Sequence, residues 1–489
     1  MICSTQLLLL LLAAAGLSAS TSHPPSHISF PLTQHKSSHR FAPHPAIPHA
    51  SALHDLALGH GLTSASVDVA YTSAVYTITV GVGTPPQPQT LLIDTGSSDM
   101  LVFSAASKQC RSSSFGCGGG YNPVDSRTSK NLDMSFVFGF ANQSATARGT
   151  FVRDNVHIGD FVVRDQPFAM IEDSVLDFDI EGVLGLGYKS KQQSDFKYET
   201  LASKITAREQ TASTMRLLSR PRPVFSLYLG SRVEDVESGI DKQTHDSHLS
   251  AYFRTSSSKS NIGKSSLVPQ PSLDLGFIDE TKHTGDMLAF IPCTTADDFM
   301  IRVHDINFVD SNDRFHSLIE PVYPVSTAPV DNSDEAAPKL DMLLDSGTIG
   351  ILIHDTVADA IAAAISADAT YDESLPGYRL PCSAMSSPLQ GHLEFSFLVY
   401  QDSTDSSSPS PSSSFETFKT IRVSLAELHR KFVSTSASND GQCVLDVVRE
   451  STYGVGNILG TAFMSSVYAV FDVDRHRVGI AQAAYYNLR

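Results

Sequence analysis

Short runs of β-branched and aromatic residues, separated by Gly and Pro, make up most of the chain from Val67 onwards. One of these runs covers residues 75–80 and ends at the turn-forming sequence of residues 81–86. Runs bounded by turn residues in this way are typical of strands, so the pattern predicts a structure made mainly of β-sheet. The few segments with helical spacing of apolar residues are residues 198–218, residues 356–367 and a turn or two in residues 424–432.

Three polar stretches interrupt the predicted strands. They cover residues 231–270, 310–338 and 403–414, the last of which is almost entirely Ser, Pro and Thr. Such composition buries too little apolar surface to offset the entropy lost on ordering. We therefore expect surface insertions or linkers at these places, and we place a low-complexity insertion at residues 231–270.

The first 65 residues differ in character from the remainder. An apolar run at residues 7–17, followed by small residues, is typical of a secretory signal, which we place at residues 1–20. The run is too short to span a bilayer, which requires about 20 apolar residues. Since no Lys or Arg precedes it, a buried N-terminal helix is the alternative. The Pro-, Ser- and His-rich residues 21–65 are predicted to be a propeptide, and we expect no membrane anchor.

Composition restricts the class of protein. The chain has 489 residues, of which 41% are apolar and 18% charged, so a globular structure of two or three domains is expected. Its 35 Lys and Arg against 52 Asp and Glu give a formal net charge of -17, and no basic run stands out. We therefore do not expect the protein to bind nucleic acid through a basic patch.

The six cysteines are too few for a small disulfide scaffold and suit a few isolated bridges. Cys3 lies in the predicted signal. Cys110 and Cys117 enclose a short loop and form the first predicted pair, and Cys382 with Cys443 forms the second. Cys293 is then left over, and its apolar surroundings favour a buried thiol over a nucleophile.

An internal repeat is the most informative feature of the sequence. Residues 92–97, Leu-Ile-Asp-Thr-Gly-Ser, match residues 343–348, Leu-Leu-Asp-Ser-Gly-Thr, without a gap. Each copy is followed later by an apolar-apolar-Gly echo, at residues 183–185 and 458–460. The repeat predicts two similar β-rich lobes, covering residues 66–230 and 271–489, each with one aspartate on a loop between core strands.

Two aspartates that meet between the lobes would form a catalytic pair. A lone Asp-Thr-Gly sequence is an ordinary turn, but the repeat makes Asp94 and Asp345 candidates for joint chemistry. Like charges at close range cannot both ionise, so such a pair holds one proton between its members. One carboxylate can then take a proton from water while the other carboxyl group stabilises the oxyanion. This chemistry requires no metal and no cofactor, and we expect neither.

The repeated motifs resemble those of pepsin-like aspartic proteases, and most closely those of the secreted fungal candidapepsins and yapsins. The resemblance covers about residues 71–486 apart from the polar stretches, and further motifs lie at residues 83–85, 181–188, 225–229 and 470–472. It implies an all-β, bilobal pepsin-like acid protease fold with a catalytic dyad of Asp94 and Asp345. It also implies supporting roles for the following residues: Thr95 and Ser346 between the lobes, Ser97 and Thr348 on the outer carboxylate oxygens, and Gly96, Gly347 and Val183 along the substrate cleft.

The sequence departs from this family at the flap, the hairpin that covers the cleft. Family members carry a flap tyrosine that bonds a tryptophan, whereas this chain has Phe138 and Leu101 at those positions and no Trp at all. The aligned flap continues with Gly139 and Phe140. The remaining departures are a sequon at Asn142, which predicts N-glycosylation, and Ile349, which predicts a more apolar cleft wall.

The sequence thus predicts a secreted, acid-active aspartic endopeptidase made as a zymogen, acting on protein or peptide substrates. The resemblance implies that the propeptide is an intramolecular inhibitor, and we expect a monomer that is extracellular or directed to an acidic vacuole. Eight of the 18 His lie in residues 21–60, which suggests that acidification changes the charge of the propeptide. The alternative is a non-catalytic binding or inhibitor protein with the same fold.

Overall fold

The computed structural model describes residues 28–37, 73–111, 119–140, 145–159, 161–174, 181–205, 224–232, 269, 271–276, 278–284, 288–319, 340–373, 376–385, 391–400, 416–431 and 441–485. The predicted signal lies outside these residues, as do most of the propeptide, residues 403–414 and nearly all of the predicted insertion.

As far as it is described, the first half of the chain contains ten strands. They are β1 (Ile28–Pro31), β2 (Thr33–Ser37), β3 (Ser73–Val82), β4 (Gln87–Asp94), β5 (Met100–Phe103), β6 (Lys130–Phe140), β7 (Ala145–Ile158), β8 (Phe161–Ser174), β9 (Gly182–Gly185) and β10 (Val224–Tyr228). Eight of them form a sheet in the order β2-β3-β4-β9-β5-β8-β7-β6. An additional pairing of β3 with β7 closes six of these strands into a ring.

The second half contributes three further sheets and most of a fourth. The strands are β11 (Ser272–Leu275), β12 (Ala289–Pro292), β13 (Met300–Val303), β14 (Asp305–Asp310), β15 (Phe315–Ser317), β16 (Leu340–Leu344), β17 (Ile351–Ile353), β18 (Thr370–Tyr371), β19 (Tyr378–Pro381), β20 (Gly391–Tyr400), β21 (Glu416–Ser424), β22 (His429–Lys431), β23 (Gln442–Leu445), β24 (Val447–Arg449), β25 (Ile458–Leu459), β26 (Val467–Asp472) and β27 (Arg477–Gln482). Their sheets run β13-β16-β25-β17-β24, β15-β14-β20-β21 and β18-β19-β23-β22.

A six-stranded sheet joins the two halves. Its order is β1-β11-β10-β26-β27-β12, so β10 from the first half lies between strands of the second. The inner strands β10 and β26 are buried along their whole length, as expected for strands covered on both faces. The two lobes are therefore held together by a shared core.

Helices are few and short in the described parts of the chain. They are α1 (Lys108–Arg111), α2 (Asp355–Ile365) and α3 (Thr461–Met464), together with the helical residues 201–205 and 3-10 turns at Pro123–Asp125, Lys189–Lys191, Glu280–Lys282, Cys382–Ala384, Leu425–Leu428 and Glu450–Thr452. α2 buries Val357, Ala358, Ile361 and Ala362, which the helical period places on one face. α2 covers most of the predicted residues 356–367. Of the predicted residues 198–218, residues 201–205 are helical and residues 206–218 lie outside the described residues. In the predicted residues 424–432, one turn at Leu425–Leu428 is present, but residues 429–431 form the strand β22 instead.

The all-β, bilobal pepsin-like fold predicted from the sequence is confirmed. One boundary differs from the prediction, because the proposed insertion at residues 231–270 begins with two residues packed into the body of the protein. Ser231 and the backbone N–H of Arg232 donate hydrogen bonds to the buried carboxylate of Glu427. The predicted insertion includes Ser231 and Arg232 because they are polar. In the structure, the buried side chain of Glu427 binds both of them.

Candidate active site

Asp94 and Asp345 occupy equivalent positions in the two lobes. Asp94 is the last residue of β4, which pairs in parallel with β9. Asp345 directly follows β16, which pairs in parallel with β25. The apolar residues before each aspartate form a buried strand, and the later apolar-apolar-Gly echo forms the parallel neighbour. The repeat in the sequence is therefore a repeat of strand, loop and neighbouring strand.

Each carboxylate receives the same pair of hydrogen bonds from its own loop. The backbone N–H of Gly96 donates to Oδ1 of Asp94 at 2.8 Å, and the hydroxyl of Ser97 donates to Oδ2. In the second loop the N–H of Gly347 donates to Oδ1 of Asp345 at 2.8 Å, and the hydroxyl of Thr348 donates to Oδ2 at 2.7 Å. Two donors on each group hold both carboxylates in a fixed orientation.

Thr95 and Ser346 link the two loops across the molecule. The hydroxyl of Thr95 donates to the carbonyl of Leu344 at 2.8 Å and accepts from the N–H of Ser346 at 3.0 Å. Reciprocally, the hydroxyl of Ser346 donates to the carbonyl of Ile93 at 2.8 Å and accepts from the N–H of Thr95 at 3.1 Å. Both residues are buried, so water does not compete for these four bonds.

Close approach requires Gly96 and Gly347. A Cβ atom at Gly96 would lie 2.6 Å from Cγ of Asp345, and one at Gly347 would lie 2.7 Å from Oδ1 of Asp94. Contacts of this kind are far shorter than two atoms can approach without displacement. Each glycine therefore allows the opposite carboxyl group to lie against its own loop.

The carboxyl groups of Asp94 and Asp345 share a hydrogen bond. Burial raises the pKa of Asp94 well above its ordinary value, and the neighbouring charge of Asp345 raises it further. The bonds from Ser97 and Gly96 oppose this rise, because they stabilise the ionised form. Asp94 therefore retains its proton at pH values where an isolated aspartate has lost its own.

The flap is the hairpin of β6 and β7, and Phe138 faces inward from it. Phe138 is 2% exposed and packs against Phe136 and Phe151, with ring centroids 4.7 Å and 6.2 Å away. Leu101, Val183 and the half-buried Ile349 belong to the same apolar cluster. Apolar packing therefore occupies the region in which family members place the tyrosine and tryptophan of the flap. The side chain of Phe140 lies outside the described residues.

Gln193 is a residue of this region that the sequence did not single out. Its side-chain oxygen accepts a hydrogen bond from the N–H of Gly139 at 3.0 Å, and its side-chain nitrogen donates to the carbonyl of Gly139 at 3.0 Å. Its backbone N–H donates to Asp99, which follows the first Asp-containing motif in the chain. No sequence signal could have found Gln193, because its partners are backbone atoms distant in the chain.

The predicted covalent features are described only in part. Cys382 and Cys443 form a disulfide bond with a Cα–Cα distance of 4.8 Å. Cys110 is disulfide-bonded, whereas Cys117 and Asn142 lie outside the described residues. Cys293 is a free, half-buried thiol, and burial raises its pKa to about 11, so it is a poor nucleophile.

Comparison with known proteins agrees with this geometry. The family model described as "Eukaryotic aspartyl protease" matches residues 75–251 and 264–483, which include both Asp-containing motifs and the hairpin of β6 and β7. The chain belongs to this family. The match places it among the aspartic-type endopeptidases, which are hydrolases. The resemblance inferred from the two Asp-containing motifs is thus confirmed.

The curated relatives include secreted fungal proteases. Secreted aspartic protease 7 of Candida albicans (strain SC5314 / ATCC MYA-2876) is 27% identical over 430 residues, covering 85% of this chain and 61% of that relative. Secreted aspartic protease 8 of the same strain is 26% identical over 84% of this chain and 76% of its own length. Candidapepsin-3 of C. albicans (strain WO-1) is 25% identical over 84% of this chain and 80% of its own length. This chain therefore spans less than two thirds of the first of these relatives.

Among the helices that the structure describes, none is long and apolar enough to cross a membrane.

Proposed function

We propose that this protein is a secreted aspartic endopeptidase, made as a zymogen, that hydrolyses peptide bonds at acidic pH. One observation carries the proposal: Asp94 and Asp345 share a hydrogen bond, and each receives matching donors from its own loop. A non-catalytic pepsin-fold protein has no need of both carboxylates in this arrangement. The secreted fungal relatives support the proposed extracellular location.

In the proposed reaction, the singly protonated dyad activates a water molecule. The ionised carboxylate takes a proton from the water, whose oxygen attacks the carbonyl carbon of the scissile peptide. The protonated carboxyl group donates its proton to the carbonyl oxygen, which gives a tetrahedral diol. When the diol collapses, the C–N bond breaks and the nitrogen takes a proton from the carboxyl group that accepted it first. One diol hydroxyl returns its proton to the other carboxylate, which reforms the C=O bond and restores the singly protonated pair. No covalent intermediate with the protein is required.

The substrate we propose is an extended peptide with apolar side chains around the cut. This preference rests on Ile349, a half-buried apolar residue that directly follows Thr348 and packs against the cluster of Phe138, Leu101 and Val183. A longer apolar side chain is expected to gain about 0.8 kcal/mol for each methylene group that it buries there. The flap would cover the bound peptide and exclude water from it.

Inhibition by the protein's own propeptide is supported by the strands at residues 28–37. β1 pairs antiparallel with β11 at the edge of the six-stranded sheet, and β2 pairs antiparallel with β3 in the other large sheet. The predicted propeptide therefore contributes a strand to each of two sheets of the enzyme body. Removing it would require both pairings to open.

The test is stepwise acidification of the purified precursor from pH 7 to pH 3. Its mass and its cleavage of a denatured protein would be followed together, with and without pepstatin. We expect shortening of the chain and pepstatin-sensitive cleavage, both lost in Asp94→Asn. Activity that appears only after another protease trims the chain would indicate activation by that protease. A trimmed, folded chain that cleaves nothing would instead favour the non-catalytic binding protein, for which the missing flap tyrosine is the motivating observation.

A further inference from the structure

The outer edge of the flap is bonded to a side chain at Gly139. Among the described strands, β6 is the last of its sheet, so no described strand pairs with the backbone groups on its outer side. Gly139 lies opposite Thr146 of β7 and directs both its N–H and its C=O to Gln193. A carboxamide carries a donor and an acceptor in one plane, as a peptide group does. Gln193 thus makes the two bonds that an additional strand would make at this position.

Gln193 is itself supported by the first catalytic loop. Its backbone N–H donates to Oδ2 of Asp99 at 2.8 Å, and the hydroxyl of Tyr198 donates to Oδ1 of Asp99 at 3.0 Å. The same hydroxyl accepts from the N–H of Met100 at 3.2 Å. Asp99 and Tyr198 are both buried, so the residues that support Gln193 are themselves held in place by the surrounding protein. A chain of direct bonds therefore runs from the loop that carries Asp94, through Asp99 and Gln193, to the flap.

The flap requires such a bond because its aromatic residue carries no polar group. Phe138 is held by apolar packing, which stabilises contact but has no preferred direction. The two bonds from Gln193 to Gly139, the residue that follows Phe138, are directional. They set the distance between this strand and the catalytic loop.

We propose that Gln193 is a positioning residue that latches the flap through Gly139, in place of the tyrosine–tryptophan bond that this chain lacks. The latch is distinct from the catalytic residues, because Gln193 contacts neither Asp94 nor Asp345 and acts only through the flap. Misplacement of positioning groups by about 1 Å can lower rates by up to about 100-fold. Because Gln193 is exposed and water competes for its bonds, we expect Gln193→Ala to lower kcat/KM by about 10-fold.

The deciding variant is Gln193→Glu, which keeps the shape of the side chain and makes the latch depend on pH. When protonated, a glutamic acid donates one bond and accepts another, as glutamine does; when ionised, it only accepts. The ionised side chain of this variant would face the carbonyl oxygen of Gly139 without a donor. We therefore expect Gln193→Glu to match the wild type at pH 3 and to resemble Gln193→Ala above the ordinary glutamate pKa of about 4.3.

Two readouts test this inference. Only the first of them rests on the proposed protease function. The first is kcat/KM from pH 3 to pH 6 for the wild type, Gln193→Ala and Gln193→Glu. Ser190→Glu is the matched control, because it adds the same charge to an exposed position of the same segment. The second is hydrogen exchange of residues 130–158 in the full chain, which reports on the Gly139 amide whether or not the protein cleaves a substrate.

We expect faster exchange at Gly139 in Gln193→Ala at every pH, and in Gln193→Glu only above its carboxyl pKa. Exchange and kinetics that are unchanged in Gln193→Ala, or a Gln193→Glu profile that follows Ser190→Glu, would overturn the latch. If the wild type cleaves nothing but exchange responds as expected, the latch stands and the proposed protease function fails.

Discussion

The two carboxyl groups of the site differ little in their immediate bonds but lie in an environment that opposes two charges. Each receives one glycine N–H and one hydroxyl, which favour ionisation. Burial and the partner's charge act in the other direction on Asp94 and outweigh those bonds, because its pKa is raised overall. The same balance that suits a shared proton also makes the site costly to keep ionised in the folded protein.

This cost predicts how stability depends on pH at Asp94. In the folded protein the pKa of Asp94 lies above its value of about 3.9 in an unfolded chain, so the folded state retains the proton longer. The free energy of unfolding therefore falls as pH rises from about 4 through the raised pKa, by at most about 1.4 kcal/mol per pH unit. Asn cannot ionise, so Asp94→Asn should melt at a higher temperature than the wild type at pH 7 and at a similar temperature at pH 3.

Thermal unfolding of the full chain between pH 3 and pH 7 measures this difference. Asp195→Asn serves as the control, because Asp195 is an exposed aspartate outside the site. It should show no such divergence from the wild type. Equal melting temperatures of Asp94→Asn and the wild type at both pH values would mean that the dyad is not strained by its charges.

At the scale of secondary structure, local patterns predicted which segments form elements but not which elements meet. The run at residues 75–80 lies within β3, and the spacing at residues 356–367 corresponds to α2 at Asp355–Ile365. The pairing of β3 with β7 and the position of β10 depend on contacts distant in sequence, which periodicity does not record. The dyad was an exception, because a repeated motif implies equivalent positions in two equivalent lobes.

The flap hairpin also shows which features the sequence could predict and which it could not. Strand alternation places Phe138 inside and Val137 outside, where Val137 is 74% exposed. A resemblance could align Phe138 with the family tyrosine, but only the structure shows the apolar cluster around it. Gln193 could not be identified at all from the sequence, since a glutamine that bonds the backbone has no recognisable motif.

The cluster predicts that restoring the family residue at the flap is harmful by itself. Phe138→Tyr would add a hydroxyl group beside Phe136 and Phe151. The side chains of these two residues have no oxygen or nitrogen atom that could accept a hydrogen bond from it. Burying an unpaired hydroxyl costs about 1–3 kcal/mol. We therefore expect Phe138→Tyr to melt at a lower temperature than the wild type and to have a lower kcat/KM.

Val137→Tyr is the matched control for this variant, because it adds the same side chain to the exposed face of the same strand. It should leave the melting temperature close to that of the wild type. A Phe138→Tyr protein that is more stable or more active than the wild type would show that the hydroxyl reaches an acceptor, contrary to the apolar packing described above.

At the scale of the whole molecule, three features connect parts of the chain that are far apart. The six-stranded sheet joins the two lobes, and residues 28–37 contribute one strand to each of two sheets. Arg232 joins the end of the first half to the second. Arg232 donates to Oδ2 of Asp446 at 2.6 Å and to the carbonyl of Glu427 at 2.8 Å. All three side chains are buried, with exposures of 5% for Arg232 and 1% for Asp446.

Arg232 is therefore expected to be one of the most sensitive positions outside the active site. Removing one member of a buried ion pair leaves a charge without compensation and costs about 3–5 kcal/mol. In Arg232→Ala, the carboxyl groups of Asp446 and Glu427 would remain buried without the positive charge of the guanidinium beside them. Protonation relieves that charge, so the loss of unfolding free energy should be larger at pH 7 than at pH 4.

Arg302→Ala is a suitable comparison, because Arg302 and Asp341 form an ion pair whose side chains are 33% and 31% exposed. Partly exposed pairs contribute about 0–1 kcal/mol, so this variant should lose little stability at either pH. Chemical denaturation of both variants at pH 7 and pH 4 separates the two cases. A small, pH-independent loss in Arg232→Ala would mean that water reaches the buried acids once the arginine is removed, and that Arg232 adds little to the join between the two halves.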